Sequence, residues 1–198
     1  MKELIIATKN VGKVKEFQEL FHKYDIQVRS LHDLEEPIGD IEETGRTFEE
    51  NALIKAEAIS NQLNTPVLAD DSGLEIDALD GRPGIYSARY AGEEKNDQKN
   101  LEKVLAELEG VAPENRSARF VCSIAIIQPG QKSLVKRGTC EGSIGLKPKG
   151  ENGFGYDPIF IPDGYDRSMA ELKPEEKNTI SHRRNAILKV EDWLKELE

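Results

Sequence analysis

The sequence has few cysteines, no long apolar run and no excess of basic residues. Its 198 residues include two cysteines, Cys122 and Cys140, both in apolar stretches typical of strands. Such a pair does not make a disulfide framework and suits a reducing compartment, so we expect a cytoplasmic protein. No apolar run approaches the roughly 18 residues of a membrane-spanning helix, and the amino terminus becomes polar too early for a signal peptide. We therefore expect no membrane association.

The balance of charge argues against one class of partner. The chain carries 27 Lys and Arg against 37 Asp and Glu, a formal net charge of -10. Proteins that bind nucleic acid without regard to sequence gain affinity from clustered cations on phosphates, so we expect no nucleic-acid polymer as a partner. A small polyphosphate can still bind where a few local cations and a divalent metal offset the acidic surroundings.

The length and the 37% hydrophobic content suit one domain over residues 1–198. Strand-like runs alternate with amphipathic stripes in the first half, and a long hairpin around Pro129-Gly130 follows. This order predicts an α/β fold with a mixed central sheet flanked by helices. Predicted strands cover residues 2–8, 26–31, 118–128, 133–146 and 154–161, and a further strand begins at Val67. Predicted helices cover residues 13–23 and 97–108, and a further helix opens with a capping box formed by Thr47 and Glu50. The last predicted helix follows Ser181 and has the apolar stripe Ile187, Val190, Leu194 and Leu197.

Two adjacent carboxylates, Asp70 and Asp71, follow the buried run that begins at Val67. We expect this strand to end at Ser72-Gly73, which would place both acids where ligands bind in open α/β sheets. Two acids there indicate a magnesium ligand, a general base, or both, and a simple Asp-Ser turn is the alternative. Because successive strand residues face opposite ways, we expect one of the two acids to face the ligand and the other to have a supporting role.

Two predicted helices begin with basic residues, although a helix dipole favours acids in the first turn. The segment from Ala7 to Val14 lacks the first glycine and the final Ser or Thr of a P-loop, but a helix start still offers its amides to an anion. Solvated lysines are the alternative at the first helix, and a pairing carboxylate is the alternative at the last. The repetition favours anion binding by these side chains: Lys9 and Lys13 at the first helix, and Lys177, His182, Arg183 and Arg184 near the last.

A glycine-rich stretch, residues 150–163, lies between these basic segments. Its glycines allow close backbone approach, and the rings of Phe154 and Tyr156 could stack on a nucleobase if they are exposed. The alternative is a tight turn whose aromatic rings pack in the core.

Six stretches of the sequence together resemble a known family. They are ATKNVGK at 7–13, TFEENALIKA at 47–56, ADDSGLEIDAL at 69–79, GRPGIYSARYAG at 81–92, GFGYDPIF at 153–160 and KNTISHRRNA at 177–186. In this order they resemble the inosine/xanthosine triphosphate pyrophosphatases, hydrolases of non-standard purine nucleotides. The resemblance covers essentially the whole chain. It implies an elongated α/β fold with two lobes around an active-site cleft, in a homodimer.

The resemblance also implies a magnesium-dependent reaction. Members of the family cleave ITP, dITP or XTP to the monophosphate and pyrophosphate, which removes these nucleotides before they enter DNA or RNA. On matching positions, Glu42 and Asp71 would bind magnesium, with Glu43 as an alternative to Glu42, and Asp71 would be the base. The triphosphate would contact Thr8, Lys9, Asn10, Val11, Gly12, Lys13 and Lys55, and Ser72 would also touch the substrate. The base and the sugar-phosphate end would be recognised by Phe154, Gly155, Tyr156, Asp157, Lys177, His182 and Arg183.

The implied selectivity has a chemical basis. Hypoxanthine and xanthine carry a carbonyl where adenine carries an amino group, and donors from His182 or Arg183 would satisfy that carbonyl. A mispaired buried polar group costs about 1–3 kcal/mol, so ATP should be a poor substrate. Two alternatives stay open, which are a pyrophosphatase for another modified nucleotide and a non-catalytic nucleotide-sensing module.

Overall fold

The computed structural model describes residues 2–196, and its strands form a six-stranded mixed sheet. The sheet order is β2-β1-β3-β4-β5-β6, with β1 parallel to β2 and β3, and β6 antiparallel to β5. The predicted mixed α/β class is therefore confirmed. The strands are β1 (Lys2–Ile6), β2 (Ile26–Ser30), β3 (Val67–Ile76), β4 (Ser117–Ile127), β5 (Leu134–Ile144) and β6 (Phe160–Pro162).

The helices follow the predicted amphipathic stripes in most places. They are α1 (Val11–His22), α2 (Phe48–Leu63), α3 (Asp97–Glu107), α4 (Pro174–Ile180), α5 (His182–Leu188) and α6 (Glu191–Glu196). In the described part of the chain, none of them has both the length and the apolar character needed to cross a membrane. The chain divides into two compact units, and β3, β4 and β5 each contribute residues to both.

The first unit comprises Met1–Asp71, Cys122–Gly138 and Arg183–Glu198. Alternate residues of its strands belong to two different apolar clusters, as expected for side chains on opposite strand faces. Leu68 joins the cluster that contains residues of α1, α5 and α6, whereas Val67 and Ala69 join the cluster that contains residues of α2. This alternation fixes which face each of the following two acids must occupy.

The second unit comprises Ser72–Val121 and Thr139–His182. Its apolar cluster contains residues of α3 and of β3 to β6. The buried Arg116 stabilises the turns at one side of this cluster, because its guanidinium donates to the backbone carbonyls of Val111 at 3.0 Å, Gly145 at 3.0 Å and Leu108 at 2.8 Å. The expectation of one domain over the whole chain stays a prediction, as does the arrangement of two lobes around a cleft.

The prediction that the third strand ends at Ser72-Gly73 is wrong. β3 continues to Ile76, so Asp70 and Asp71 lie inside a strand. Leu74 and Ile76 are fully buried and hold this continuation in the core of the second unit. The Ser87 hydroxyl accepts the Leu74 N–H at 2.9 Å, which satisfies a strand amide next to the glycine.

The predicted strand over residues 154–161 is also wrong. A turn and a 3-10 helix, Asp157–Ile159, occupy most of this stretch, and only Phe160–Pro162 forms a strand. Gly153 and Gly155 adopt φ values of 76° and 61°, which are incompatible with an extended strand. Pro158 removes a further backbone donor, so a sheet ladder cannot run through this segment.

The predicted helix start at Thr47 is confirmed without its full capping box, and the predicted last helix is interrupted. Thr47 accepts the Glu50 N–H at 3.1 Å as expected, but the Glu50 carboxylate accepts the N–H of Arg46 rather than that of Thr47. The last predicted helix is two helices, α5 and α6, separated by a short turn. Its stripe is otherwise confirmed, because Ile187, Val190 and Leu194 are buried; Leu197 lies outside the described residues.

Both cysteines are free thiols and buried. Burial raises the pKa of Cys140 to about 12, and the nearby negative charges of Glu141, Asp163 and Asp157 add to this effect. The thiol therefore stays protonated and unreactive at neutral pH.

Candidate functional site

Asp70 and Asp71 are buried neighbours whose side chains have different partners. Asp70 is fully buried, and its Oδ2 accepts from Lys13 Nζ at 2.7 Å and lies 3.9 Å from Arg183 Nε. Asp71 is 7% exposed, and its Oδ2 accepts from the Asn51 side-chain amide at 3.1 Å. The two acids thus face α1 and α2 respectively, in keeping with strand alternation.

The surroundings of Asp70 keep it charged. Burial alone would raise the pKa of its carboxyl, but the nearby Lys13, Arg183 and Lys55 outweigh burial and hold the pKa of Asp70 well below its usual range. Asp70 is therefore a permanent anion that orients the Lys13 ammonium, which supports the structural role predicted for it.

The surroundings of Asp71 have the opposite effect. Burial raises the pKa of Asp71 to about 6, and the charge of Glu43 adds to the increase, while Lys55 and Lys13 partly offset it. A carboxyl with a pKa near neutrality can accept a proton at physiological pH more readily than an ordinary aspartate. Its position among buried charges is also typical of functional sites.

Helix α2 brings two side chains to these acids. Lys55 Nζ donates to the backbone oxygen of Asp70 at 2.6 Å and pairs with Glu43 Oε1 at 2.7 Å. Burial would lower the pKa of Lys55, but the charges of Asp70, Asp71 and Glu43 together raise it, so the ammonium stays charged. The acid–lysine cluster is the set Lys13, Glu43, Asn51, Lys55, Asp70 and Asp71, all within the first unit.

The acid–lysine cluster has donors that suit Mg²⁺. Magnesium prefers oxygen ligands and usually binds one or two carboxylates together with substrate phosphates and water. Asp71 and Glu43 supply such carboxylates, and the charge of Glu43 raises the pKa of Asp71, so a divalent cation there would relieve their repulsion. Glu42 is exposed, whereas Glu43 is half-buried. Among residues 2–196, no group of three or more His, Cys, Asp or Glu side chains is arranged to hold a metal ion.

The start of α1 is ordered by its own polar side chains. The Thr8 hydroxyl accepts the Asn10 N–H at 3.1 Å, and the Asn10 side chain caps the helix by accepting the Lys13 N–H at 3.1 Å. Lys9 is exposed and pairs with Asp40 at 2.7 Å, and Val11 is exposed as well. A helix start has several amides without intrahelical partners, so the segment retains donors for an anion.

The family assignment follows from a match along most of the chain. The model of the Ham1 family matches residues 4–193. The chain belongs to the Ham1 family.

Individual Ham1 relatives are similar over nearly their full lengths. A dITP/XTP pyrophosphatase of Oceanobacillus iheyensis is 63% identical over 98% of this chain and 98% of its own. The protein of that name from Bacillus subtilis is 55% identical over 98% of each chain. The solved Staphylococcus aureus Ham1 protein superposes with a TM-score of 0.87 at 49% identity, covering 100% of both chains.

The second unit contains a separate cluster of predicted residues. Asp157 Oδ2 accepts from Lys177 Nζ at 2.8 Å and from the Phe154 N–H at 3.0 Å, and both charged side chains are buried. Lys177 Nζ also lies 4.8 Å from the centroid of the half-buried Phe154 ring. Gly153 has a φ of 76°, which side-chain-bearing residues rarely adopt, and a Cβ there would displace the Asp157 carboxylate because it would lie 2.0 Å from Oδ2.

The ring of Tyr156 is buried and therefore is not available to stack on a nucleobase. Tyr156 is 6% exposed, packs in the apolar cluster, and its hydroxyl donates to the Ser87 carbonyl at 2.6 Å. Of the two rings considered for base stacking, Phe154 is therefore the accessible one. Gly155 supplies its N–H to Asp97 Oδ2 at 2.9 Å, and Ser72 is half-buried in β3.

The basic residues after Ser181 are mostly buried. His182 is 4% exposed and stacks on Phe120 with ring centroids 5.0 Å apart. Arg183 is 3% exposed and pairs with the buried carboxylate of Glu16 at 2.9 Å. This pairing is the carboxylate alternative raised from the sequence, and the substrate-binding roles of both residues stay predictions.

Sequence reasoning did not assign Asn51 or Glu16 to the site. Asn51 is four residues before Lys55, which places both on one face of α2 and was a readable signal. Glu16 occupies a buried position of α1, and only the fold reveals its contact with Arg183.

Proposed function

We propose that this protein hydrolyses non-standard purine nucleoside triphosphates, namely ITP, dITP and XTP, to the monophosphate and pyrophosphate. The observation that carries the proposal is the full-length identity of 54–63% to proteins named dITP/XTP pyrophosphatases. The acid–lysine cluster supports it, because it combines buried cations for phosphates with a carboxyl of raised pKa. Such an activity would remove these nucleotides from the pool that supplies DNA and RNA synthesis.

The residues of the cluster have distinct proposed roles. Asp71 would accept the proton of the attacking water, because burial places its pKa near neutrality. Lys13 and Lys55 would stabilise the negative charge that grows on the phosphate oxygens as the anhydride bond breaks. Mg²⁺, held by Asp71 and by Glu43 or Glu42, would neutralise phosphate charge and lower the pKa of bound water.

The remaining predicted residues have proposed binding roles. The segment Thr8–Lys13 would supply backbone and side-chain donors to the phosphates, and Ser72 would contact the substrate next to Asp71. Phe154 would stack on the base, with the turn around Asp157 and Lys177 holding its ring in place. Buried donors at His182 or Arg183 would favour a base carbonyl over the amino group of adenine. We also propose a homodimer that acts in the cytoplasm.

A substrate panel tests this proposal. Pyrophosphate release from dITP, ITP, XTP, GTP and ATP is measured with Mg²⁺ and again with excess chelator. We expect fast release from dITP, ITP and XTP, release at least tenfold slower from ATP, and none with chelator. Equal rates for ATP and dITP would refute the selectivity. Binding of dITP without any release would instead favour a nucleotide-sensing module.

A further inference from the structure

The buried amide of Asn51 connects the acid pair to the loop that carries Glu43. Asn51 is 1% exposed on α2. Its Nδ2 donates to Asp71 Oδ2 at 3.1 Å, and its Oδ1 accepts the backbone N–H of Gly45 at 2.8 Å. Buried amide groups need partners for both ends, and here the two partners belong to two different segments.

We infer that Asn51 is a positioning residue for the hydrolysis, which holds the Asp71 carboxylate and the Glu43 loop in one arrangement. This inference rests on the proposed function. The inference is supported by two hydrogen bonds of the short, buried Asn51 side chain, which donates to Asp71 and accepts from Gly45. An amide suits the task because it supplies a donor to a carboxylate and an acceptor to a backbone N–H at the same time.

The packing around Gly45 shows how closely the loop approaches the helix. A Cβ on Gly45 would lie 2.6 Å from Asn51 Oδ1, 2.7 Å from Glu50 Cβ and 2.9 Å from the Asn51 backbone nitrogen. Real Cβ atoms do not come that close to such atoms, so the glycine is required for the Asn51 contact. Two residues earlier, Glu43 pairs with Lys55, one helical turn beyond Asn51. Asn51 and Lys55 therefore hold the loop at two points.

Rotation of the Asp71 carboxylate is the motion that Asn51 restricts. The Asp71 carboxylate must keep one orientation relative to the attacking water and to a bound cation. A base that is misplaced by about 1 Å can lose 100-fold in rate. Partners that orient a metal-binding carboxylate typically contribute 10- to 100-fold to activity. Loss of the Asn51 donor should thus lower kcat while leaving substrate affinity nearly unchanged.

Two substitutions separate the two halves of the contact. Asn51→Asp keeps an oxygen for the Gly45 N–H but replaces the donor to Asp71 by a second carboxylate. Asn51→Ser is too short to maintain either bond. A matched control is Asn100→Asp, because Asn100 is also buried and bridges the Ala91 N–H at 2.7 Å and the Ala88 carbonyl at 3.0 Å, both in the second unit.

The experiment measures kcat and KM for dITP at saturating Mg²⁺, amide hydrogen exchange at Gly45, and the Asp71 rotamer in crystals of the metal-free variants. We expect kcat to fall 10- to 100-fold in both Asn51 variants with KM within threefold of the parent. The Asp71 rotamer should change in both, and Gly45 exchange should accelerate only in Asn51→Ser. Asn100→Asp should lower the melting temperature but keep kcat within threefold.

Either of two outcomes overturns the inference. One is a kcat within threefold of the parent in Asn51→Asp; the other is an equal loss of kcat in Asn100→Asp, which would indicate a general effect of buried charge. A parent protein that releases no pyrophosphate from any triphosphate overturns the proposed function instead. In that case Gly45 exchange and the Asp71 rotamer still decide whether the contact positions these groups.

Discussion

Asp70 and Asp71 are identical side chains in consecutive positions, yet their acid–base properties differ. The carboxyl of Asp70 contacts Lys13 and lies near Arg183. The carboxyl of Asp71 accepts a hydrogen bond from the neutral amide of Asn51, and the charge of Glu43 counteracts part of the effect of Lys55 and Lys13 on it. Burial acts on both carboxyls and cannot by itself explain the difference. The charges on the two faces of β3 decide which acid stays ionised and which can exchange a proton.

The first prediction concerns Asp71→Asn. We expect pyrophosphate release from dITP to fall below about 1% of the parent, because the amide cannot accept the proton, while the fold is retained. The chemistry is measured as pyrophosphate release at saturating dITP and Mg²⁺. Near-normal magnesium-dependent turnover in this variant would remove Asp71 as the base.

The same variant has a second consequence, for stability. The folded-state pKa of Asp71, about 6, lies above the ordinary value of 3.8. The carboxyl therefore favours folding below pH 3.8, and this contribution is lost as pH rises through 6. Between pH 3.5 and 7.5, the unfolding free energy of metal-free Asp71→Asn should gain about 3 kcal/mol relative to the parent. Denaturant titrations at both pH values measure this, and a constant difference would contradict the raised pKa.

Helix α2 and the loop before it are joined by a close contact at Gly45. The loop over residues 33–46 contains Glu43 and meets α2 through Gly45, where no side chain fits beside Asn51. The carboxylate of Glu50 accepts the Arg46 N–H at 2.6 Å and secures the last residue of the loop. The position of Glu43 is thus set by the start of a long, well-anchored helix.

A glycine substitution in this loop tests that dependence. Gly45→Ala should displace the loop, lower kcat at least tenfold and destabilise the fold by about 1–3 kcal/mol, as overpacking generally does. The matched control is Gly39→Ala in the same loop, because a Cβ at Gly39 meets nothing within 4 Å. Kinetics with dITP and urea unfolding measure both effects. Equal behaviour of the two variants would show that the contact at Gly45 is unimportant.

Apolar periodicity in the sequence predicts helices and strands, but it does not predict features that depend on tertiary contacts. The stripes of α2 and α3 and the runs of β1 and β2 are readable because burial alone imposes them. The length of β3 is not readable, since Ser72-Gly73 resembles a turn until Leu74 and Ile76 are seen in a core. The partners of Asn51 and Arg183 lie 20 and 167 residues away in sequence, beyond any local pattern.

Over the whole molecule, the excess of acidic residues acts against the binding of a polymeric polyanion. A formal charge of -10 repels an extended polyanion, whereas Lys13 and Lys55 present local positive charge to a compact one. Both lysines are largely buried, with side-chain exposures of 14%. Groups buried to this extent are poorly placed to contact the backbone phosphates of a duplex.

Charge therefore predicts the absence of DNA binding. In a mobility-shift assay with duplex DNA at 150 mM salt, we expect no retention up to about 10 μM protein, where general binders with Kd near 10⁻⁶ M retain the probe. A basic DNA-binding protein in the same buffer serves as the positive control. Retention at micromolar protein would show that a local basic surface outweighs the net charge.

The buried thiols of Cys122 and Cys140 have a practical use in spectroscopy. Because the pKa of Cys140 is raised to about 12 and both side chains are enclosed, maleimide dyes should leave them unmodified at pH 7. A single cysteine introduced at the exposed Lys132, in the turn between β4 and β5, would then be the one reactive position among the described residues. A fluorophore or a spin label could thus be attached there without first removing a native cysteine from the core.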